Sequence, residues 1–528
     1  VSTSGNWVAD IIPTGGAKTY EWNSTSTSGT AIDWDFSAGT NPNSFTFAAG
    51  SPAYSFTGNN IQFIGAVTSL ANNSSNVQTI ANNIQVFFNS VKTFDASTAG
   101  FSLGSVGFRG DGLVSGNTNT LNLTGAFNGT ISGAMNEVAI PTGAKSALTK
   151  NGTGTWTLAG VNTFVGPVTV SAGTLKAGVA SNPGVSGAFG LNTAVTTANI
   201  ATAILDLDGF NTQIGSLAGG GALGGNVALG AATLTTGGNN TNVSYAGVIS
   251  GGGALTKIGT GVQSLSGANL YTGGTAINGG SLSFLNTSAK PGSGTVTVAA
   301  GATIGLGVGA ASPQFLLGDV DSLIAGSLSG VTNDIASSVG IDTSAGSITY
   351  TTSTAANTRG LTKLGGNVLT LSGTNLHTGP TTLSVGTLSV AATENLGNAN
   401  PLIFDGGNLQ ITGTALTTYA SGAISGHPVT LVSGKTVGFD ISDAGNTFTA
   451  SEILNQGTGG LLKAGAGTLK LSGANSYTGN VSLNAGSLIS TDPAALGNNR
   501  IAFAAATTNL SLLIDGGGTI DRKSTRLN

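Results

Sequence analysis

The residues with the most direct claim to chemistry in this 528-residue chain are carboxylates two positions apart. Asp33 and Asp35, Asp206 and Asp208, and Asp319 and Asp321 each stand at i and i+2, a spacing that on a strand turns both side chains to one face. Acidic pairs on a β-helix are one route to polysaccharide cleavage, one carboxyl protonating the glycosidic oxygen while the other activates water or attacks the sugar. A site of that kind gathers several acids with an Arg or Lys, and before residue 521 the only arginines are Arg109, Arg359 and Arg500. Asp208, Asp405 and Asp515 each precede a glycine, which is turn chemistry.

Other chemical patterns fail on their own requirements. Gly100-Phe-Ser102-Leu-Gly104 has the nucleophile-elbow spacing, but no helical pattern follows Ser102 and no histidine pairs with it. Gly434-Lys435-Thr436 ends like a phosphate loop, yet the position that must be glycine is Val429. Gly305-Leu-Gly307-Val-Gly309 lacks the helix of a dinucleotide site. Two histidines, His377 and His427, and no cysteine give zinc no ligand set. Gly219 to Gly225 lacks the periodic Asp of calcium-binding nonapeptide turns. No catalytic, cofactor-binding or metal-binding residue is therefore assigned, and no cofactor is expected.

The elements around these residues are dominated by one segment that recurs four times without a gap. Its copies occupy residues 148–175 (LTKNGTGTWTLAGVNTFVGPVTVSAGTL), 255–282, 361–388 and 461–488. Apolar residues alternate with Thr, Ser or Lys, as in Trp156 and Leu158 or Leu369 and Leu371, a period of two that marks half-buried strands. Glycines bound runs of about four to six residues, a normal strand length. The aligned positions are Lys150, Lys257, Lys363 and Lys463; Leu158, Leu265, Leu371 and Leu471; and Asn162, Asn269, Asn375 and Asn475. The leucines are expected in the core. The asparagines are expected at equivalent corners, where Asn tolerates a left-handed backbone, with each copy spanning about one coil. His377 falls in the column held by Phe164, Tyr271 and Tyr477 and reads as a stacking ring. His427, in SGHPV, shows no partner.

Successive lysines lie 107, 106 and 100 residues apart. If one coil takes roughly 20–30 residues, a repeat unit holds about four or five coils, and only one carries the motif. The fold class predicted is all-β: a right-handed parallel β-helix (β-solenoid) built from short strands and Gly/Asn corners. With strands about 4.8 Å apart it would form a rod on the order of 100 Å long.

The pattern L-T-K-x-G-x-G-x-x-x-L-S-G-x-N-x-Y-T-G resembles the autotransporter-associated β-strand repeat, also called the passenger-associated transport repeat, of type V secretion passenger regions. The stretches from Leu205 (LDLDGFNTQIGSL) and Val243 (VSYAGVISGGGALTK) resemble sequences that lie between such repeats. The resemblance implies an exported bacterial surface protein, extracellular or at the outer-membrane surface, whose solenoid is a stalk or adhesin. It brings no catalytic residues. The alternative reading is a β-helix polysaccharide-degrading enzyme.

Composition fits an exported rod. Charged residues are 7% of the chain, 39% are hydrophobic, and the net charge is −4, so there is apolar surface to bury and no basic patch for nucleic acid. No run is long enough to span a bilayer as a helix, and glycans or neighbouring surface proteins are the expected partners of its Ser, Thr and Asn faces. Freedom from disulfides suits a chain that crosses a membrane unfolded. Three regions are expected: divergent coils over 1–146, with Trp7, Trp22 and Trp34 helping to cover an end; the motif-bearing solenoid over 147–520; and a non-native tail over 521–528. The tail, DRKSTRLN, has four charged residues in eight and resembles a translated sequencing adapter. The chain begins with Val1 and is read as a fragment.

Overall fold

The computed structural model describes residues 18–22, 31–34, 42–58, 60–63, 68–87, 91–109, 118–138, 143–309, 312–418, 427–451, 457–473, 475–491, 496, 501–503 and 510–514. The proposed tail, Trp7 and the side chains of Trp22, Trp34, Asp33 and Asp35 lie outside that description. The chain forms two compact units, one of residues 1–280 with 288–295 and the other of residues 281–287 with 296–528. Each is a parallel β-solenoid.

In the first unit, strands at successive coils pair in parallel to make each face. One face runs through Lys145–Lys150, Val168–Val170, Ala194–Thr197, Ser216–Gly219, Val243–Tyr245 and Val262–Leu265. A second runs through Gly129–Ile131, Thr155–Leu158, Thr174–Ala177, Ile204–Asp206 and Asn226–Ala228. A third is built from Thr212–Gln213, Thr233–Thr236, Ala254–Lys257 and Thr275–Ile277. The preceding coils, from Pro42–Phe47 to Thr118–Gly125, continue the first face. Their interior is aromatic: Phe45, Phe47, Tyr54, Phe56 and Phe101 meet with ring centroids 5.3–6.2 Å apart.

Alternation explains why these short segments stack. In Thr155–Leu158 the inward residues Trp156 and Leu158 are fully buried while Thr155 and Thr157 are half-exposed. A fully buried Leu contributes about 1.5–3 kcal/mol, and coil after coil adds the same kind of layer.

The second unit repeats the plan. One face takes Ser338–Asp342, Gly360–Leu364, Thr381–Leu383, Leu402–Phe404 and Val429–Leu431. Another takes Ile348–Tyr350, Val368–Leu371, Thr387–Val390, Asn408–Ile411, Val437–Ile441, Leu461–Ala464 and Val481–Leu483. A short helix, Leu317–Ile324, interrupts the coils and buries Val320 and Leu323.

Each motif copy stacks upon itself. Its first strand pairs in register with residues 20 positions on: Leu148 with Val168, Leu255 with Thr275, Leu361 with Thr381 and Leu461 with Val481. A copy therefore covers one coil and part of the next, more than the single coil expected. The interval between copies is also not a whole number of coils. From Lys150 the ladder steps through Val170, Thr197 and Gly219 to Tyr245, and Lys257 lies 12 residues further on. As a result the face that carries the first copy's lysine strand carries the second copy's Val262–Leu265 strand. In the second unit the face holding Val368–Leu371 of the third copy later holds Leu461–Ala464 of the fourth. The motif keeps its internal stacking and changes face.

Candidate functional site: what the repeat columns hold

The lysines turn inward. Period two from Leu148 puts Lys150 on the same side as that leucine, and the four lysines are at most 1% exposed. No carboxylate forms an ion pair with any of them among the described residues; backbone oxygens receive the ammonium instead. Lys257 Nζ donates to the carbonyls of Ile258 (2.6 Å), Gly259 (3.3 Å) and Gly279 (3.2 Å). Lys363 Nζ reaches Leu364 O (2.6 Å), Gly365 O (2.6 Å), Val385 O (3.1 Å) and Thr343 Oγ1 (2.8 Å). Lys463 Nζ reaches Ala464 O (2.5 Å), Gly465 O (2.7 Å) and Ala485 O (3.1 Å), and Lys150 Nζ reaches Gly152 O and, at 3.0 Å, Ala172 O.

The far carbonyl is 22 residues beyond the lysine in every copy. One ammonium thus ties the turn after its own strand to the turn of the next coil. Burial holds all four ammonium groups down to about 8, and at Lys363 and Lys463 this is opposed by Asp342 and Asp440 on the preceding coil.

The asparagines work through their side chains. Asn162 Oδ1 accepts from Met135 N (2.7 Å) and its Nδ2 donates to Ala188 O (2.5 Å). Asn269 repeats this with Ile249 N (3.0 Å) and Ala289 O (2.7 Å), and Asn375 Nδ2 donates to Asn395 O (2.6 Å). Each of the first two joins the coil before to the coil after. Asn162, Asn269 and Asn375 do not use the left-handed backbone that Asn tolerates; at the first two, buried amides that reach both neighbours need no special φ, and Asn375 Oδ1 is buried without a hydrogen-bond partner. Asn475 is buried as well. The leucines at 158, 265, 371 and 471 are at most 1% exposed.

The aromatic column is buried throughout, with His377 3% exposed. Tyr271 Oη and Thr275 Oγ1 are 2.6 Å apart, and His377 Nε2 is 2.8 Å from Thr381 Oγ1. The partner is four residues on in both, whereas Phe164 and Tyr477 have Val168 and Val481 at that position. Sequence reading missed this pairing, which the second and third copies alone carry. It also missed Asn400, which stands between the two histidines.

The residues considered for catalysis are placed apart. Asp206 ends the strand Ile204–Asp206, while Asp208 sits in a turn with φ of 49° and pairs with Lys176 at 3.0 Å. Asp319 and Asp321 lie on the helix, where i and i+2 do not share a face; Asp319 accepts from Leu316 N (2.8 Å) and Asp321 from Tyr350 Oη (2.5 Å). Ser102 is mid-strand between Thr79 and Thr130. Among the described residues no cluster of three or more His, Cys, Asp or Glu is placed to hold a metal, and no helix is long and apolar enough to cross a membrane.

Comparison with known proteins converges on the same segments. The family model for the passenger-associated-transport-repeat matches residues 148–177, 255–284, 361–390 and 461–489. The Adhesin BmaC autotransporter of Brucella suis biovar 1 (strain 1330) is 54% identical over 138 residues, which is 26% of this chain and 4% of that protein. The chain thus matches a small part of that relative's length. No solved structure gives a match. Four matches, each a self-stacking piece of parallel solenoid, show that the chain carries four passenger-associated-transport-repeats.

Proposed function

We propose that the chain is part of the passenger of an exported bacterial surface protein and serves as an adhesive stalk. The observation that carries this reading is the 54% identity to an adhesin autotransporter over 138 residues, in a chain whose motif positions all serve the stack. Stalk and adhesion fit one construction: inward Leu, Lys, Asn and aromatic residues fix the coil, which leaves outward Ser, Thr and Asn to meet glycans or a neighbouring protein.

The described carboxylate pairs are occupied by turn, helix-end and tyrosine contacts, so a passive rod accounts for them without a shared acidic groove. The test uses the purified chain on beads. It should bind cells or a glycan panel equally well after Asp33, Asp35, Asp206, Asp208, Asp319 and Asp321 are changed to Asn. Release of reducing ends from a polysaccharide, abolished by those changes, would replace the stalk with an enzyme.

A further inference from the structure

The two histidines of the chain lie 50 residues apart in sequence and meet at one buried residue, Asn400. His427 Nδ1 is 2.9 Å from Asn400 O, and Asn400 Nδ2 is 3.1 Å from His377 Nε2. His377, His427, Asn400 and Thr381 are at most 3% exposed.

Hydrogen-bond arithmetic sets the protonation. The Thr381 hydroxyl donates its one proton to Leu396 O (2.6 Å), so toward His377 Nε2 it can only accept. Asn400 Nδ2 has two protons, which go to Gly379 O (2.8 Å) and Thr381 Oγ1 (2.9 Å). His377 is therefore the Nε2–H tautomer and donates to Thr381. At His427 the Asn400 carbonyl requires the proton on Nδ1, which leaves Nε2 buried as a bare lone pair without a well-formed hydrogen bond. Asn400 Oδ1 is likewise buried without a donor. Both rings are held neutral.

The described charged groups nearby are all directed elsewhere. Arg359, past the strand Thr354–Asn357 that pairs with His377, donates to Ile324 O and Asn333 O. Lys363, on the strand beside Thr381–Leu383, is held by its carbonyls, and Asp342 lies beside that lysine. Glu394 is exposed, and Asp405 pairs with Lys435 at 3.6 Å. Among the described residues no carboxylate is there to receive a proton's charge on either ring, and the charge that acts on His377 is that of His427.

We propose that His377, packed beside Asn400 and His427, is an acid-sensitive latch: its protonation opens the coils around Asn375–Leu383 and Leu402–Phe404 while the histidine-free first unit stays closed. Burial pushes His377 down to about 4, and His427 is lowered too, against the opposing Asn400 and Thr393 backbones. With the folded pKa below the open-chain value of about 6.5, stability from this ring is present above pH 6.5 and is lost as pH falls toward 4.

Hydrogen exchange of the whole chain, corrected for intrinsic rates and compared at pH 7 and 4.5, tests this. Opening in peptides from 375–404 should rise on the order of fifty- to a hundredfold, with little change before residue 280. His377→Tyr installs the ring that Tyr271 already places in this column, with the same threonine four residues on, and should remove most of the rise. An unchanged rise in that variant, or an equal rise in the first unit, overturns the latch. If His377→Tyr folds poorly, NMR of the two ring signals in the unaltered chain decides. His377 should remain neutral at pH 5.5, and its titration near 6.5 without added exchange refutes the proposal.

Discussion

Lys257→Met removes one ammonium while keeping nearly the same volume, so it isolates the tie between coils. Three carbonyls, of Ile258, Gly259 and Gly279, lose their donor. A buried acceptor left without a partner costs about 1–3 kcal/mol. Against this, burial holds the ammonium at about 8 instead of 10.5, and removing that strain returns roughly 3 kcal/mol at 1.36 kcal/mol per unit. With the mid-range penalty for each carbonyl, the variant is less stable by about 3 kcal/mol, on the order of a hundredfold in local opening. Because coils couple to their neighbours, exchange should accelerate near residues 254–280 and little elsewhere. Exchange that is unchanged or slower there would mean the carbonyls do not need the cation, and the tie would be incidental packing.

The same lysines set an alkaline response. Their folded pKa of about 8 lies below the open-chain 10.5, so the native coil sheds protons first, and stability should rise between pH 8 and 10.5 and be flat just below 8; a denaturant series over that range in the unaltered chain and in Lys257→Met checks the sign. Gly386→Ala should cost at least about 2 kcal/mol, since L-residues resist its φ of 73° and a Cβ there would stand 2.3 Å from Gly365 O; thermal melting measures it. Leu371→Asp puts an unpaired charge at a site 1% exposed and should unfold adjacent coils first. Uniform loss of exchange protection along the chain would instead indicate one cooperative globule.

Much of this architecture was legible in the sequence. Period two named the inward leucines, and the gapless recurrence of 28 residues named a stack. The lysines were the larger surprise. Charge argues for solvent, yet in Leu148-Thr149-Lys150 the period already places Lys150 beside Leu148, and the following glycine-rich turn supplies the carbonyls that make burial tolerable. The asparagines were legible as special positions but not in their action, because the amides that bind Met135 and Ala188 come from coils 27 and 26 residues away. Coil length varies from 20 to 27 residues along the Lys150 ladder, so contacts between separate histidines, and the change of face from copy to copy, could not be counted from spacing alone.

The register inside a motif copy is the claim on which the rest depends, and the absence of native cysteine makes it directly measurable. Thr149 and Thr169 are outward partners on adjacent parallel strands, about 4.8 Å apart, within the range that a disulfide spans. Thr149→Cys with Thr169→Cys should close a disulfide rapidly under mild oxidation, whereas Thr149→Cys with Thr196→Cys, two coils apart, should not. Equal cross-linking of both pairs, or preference for the distant one, would contradict the stacked register.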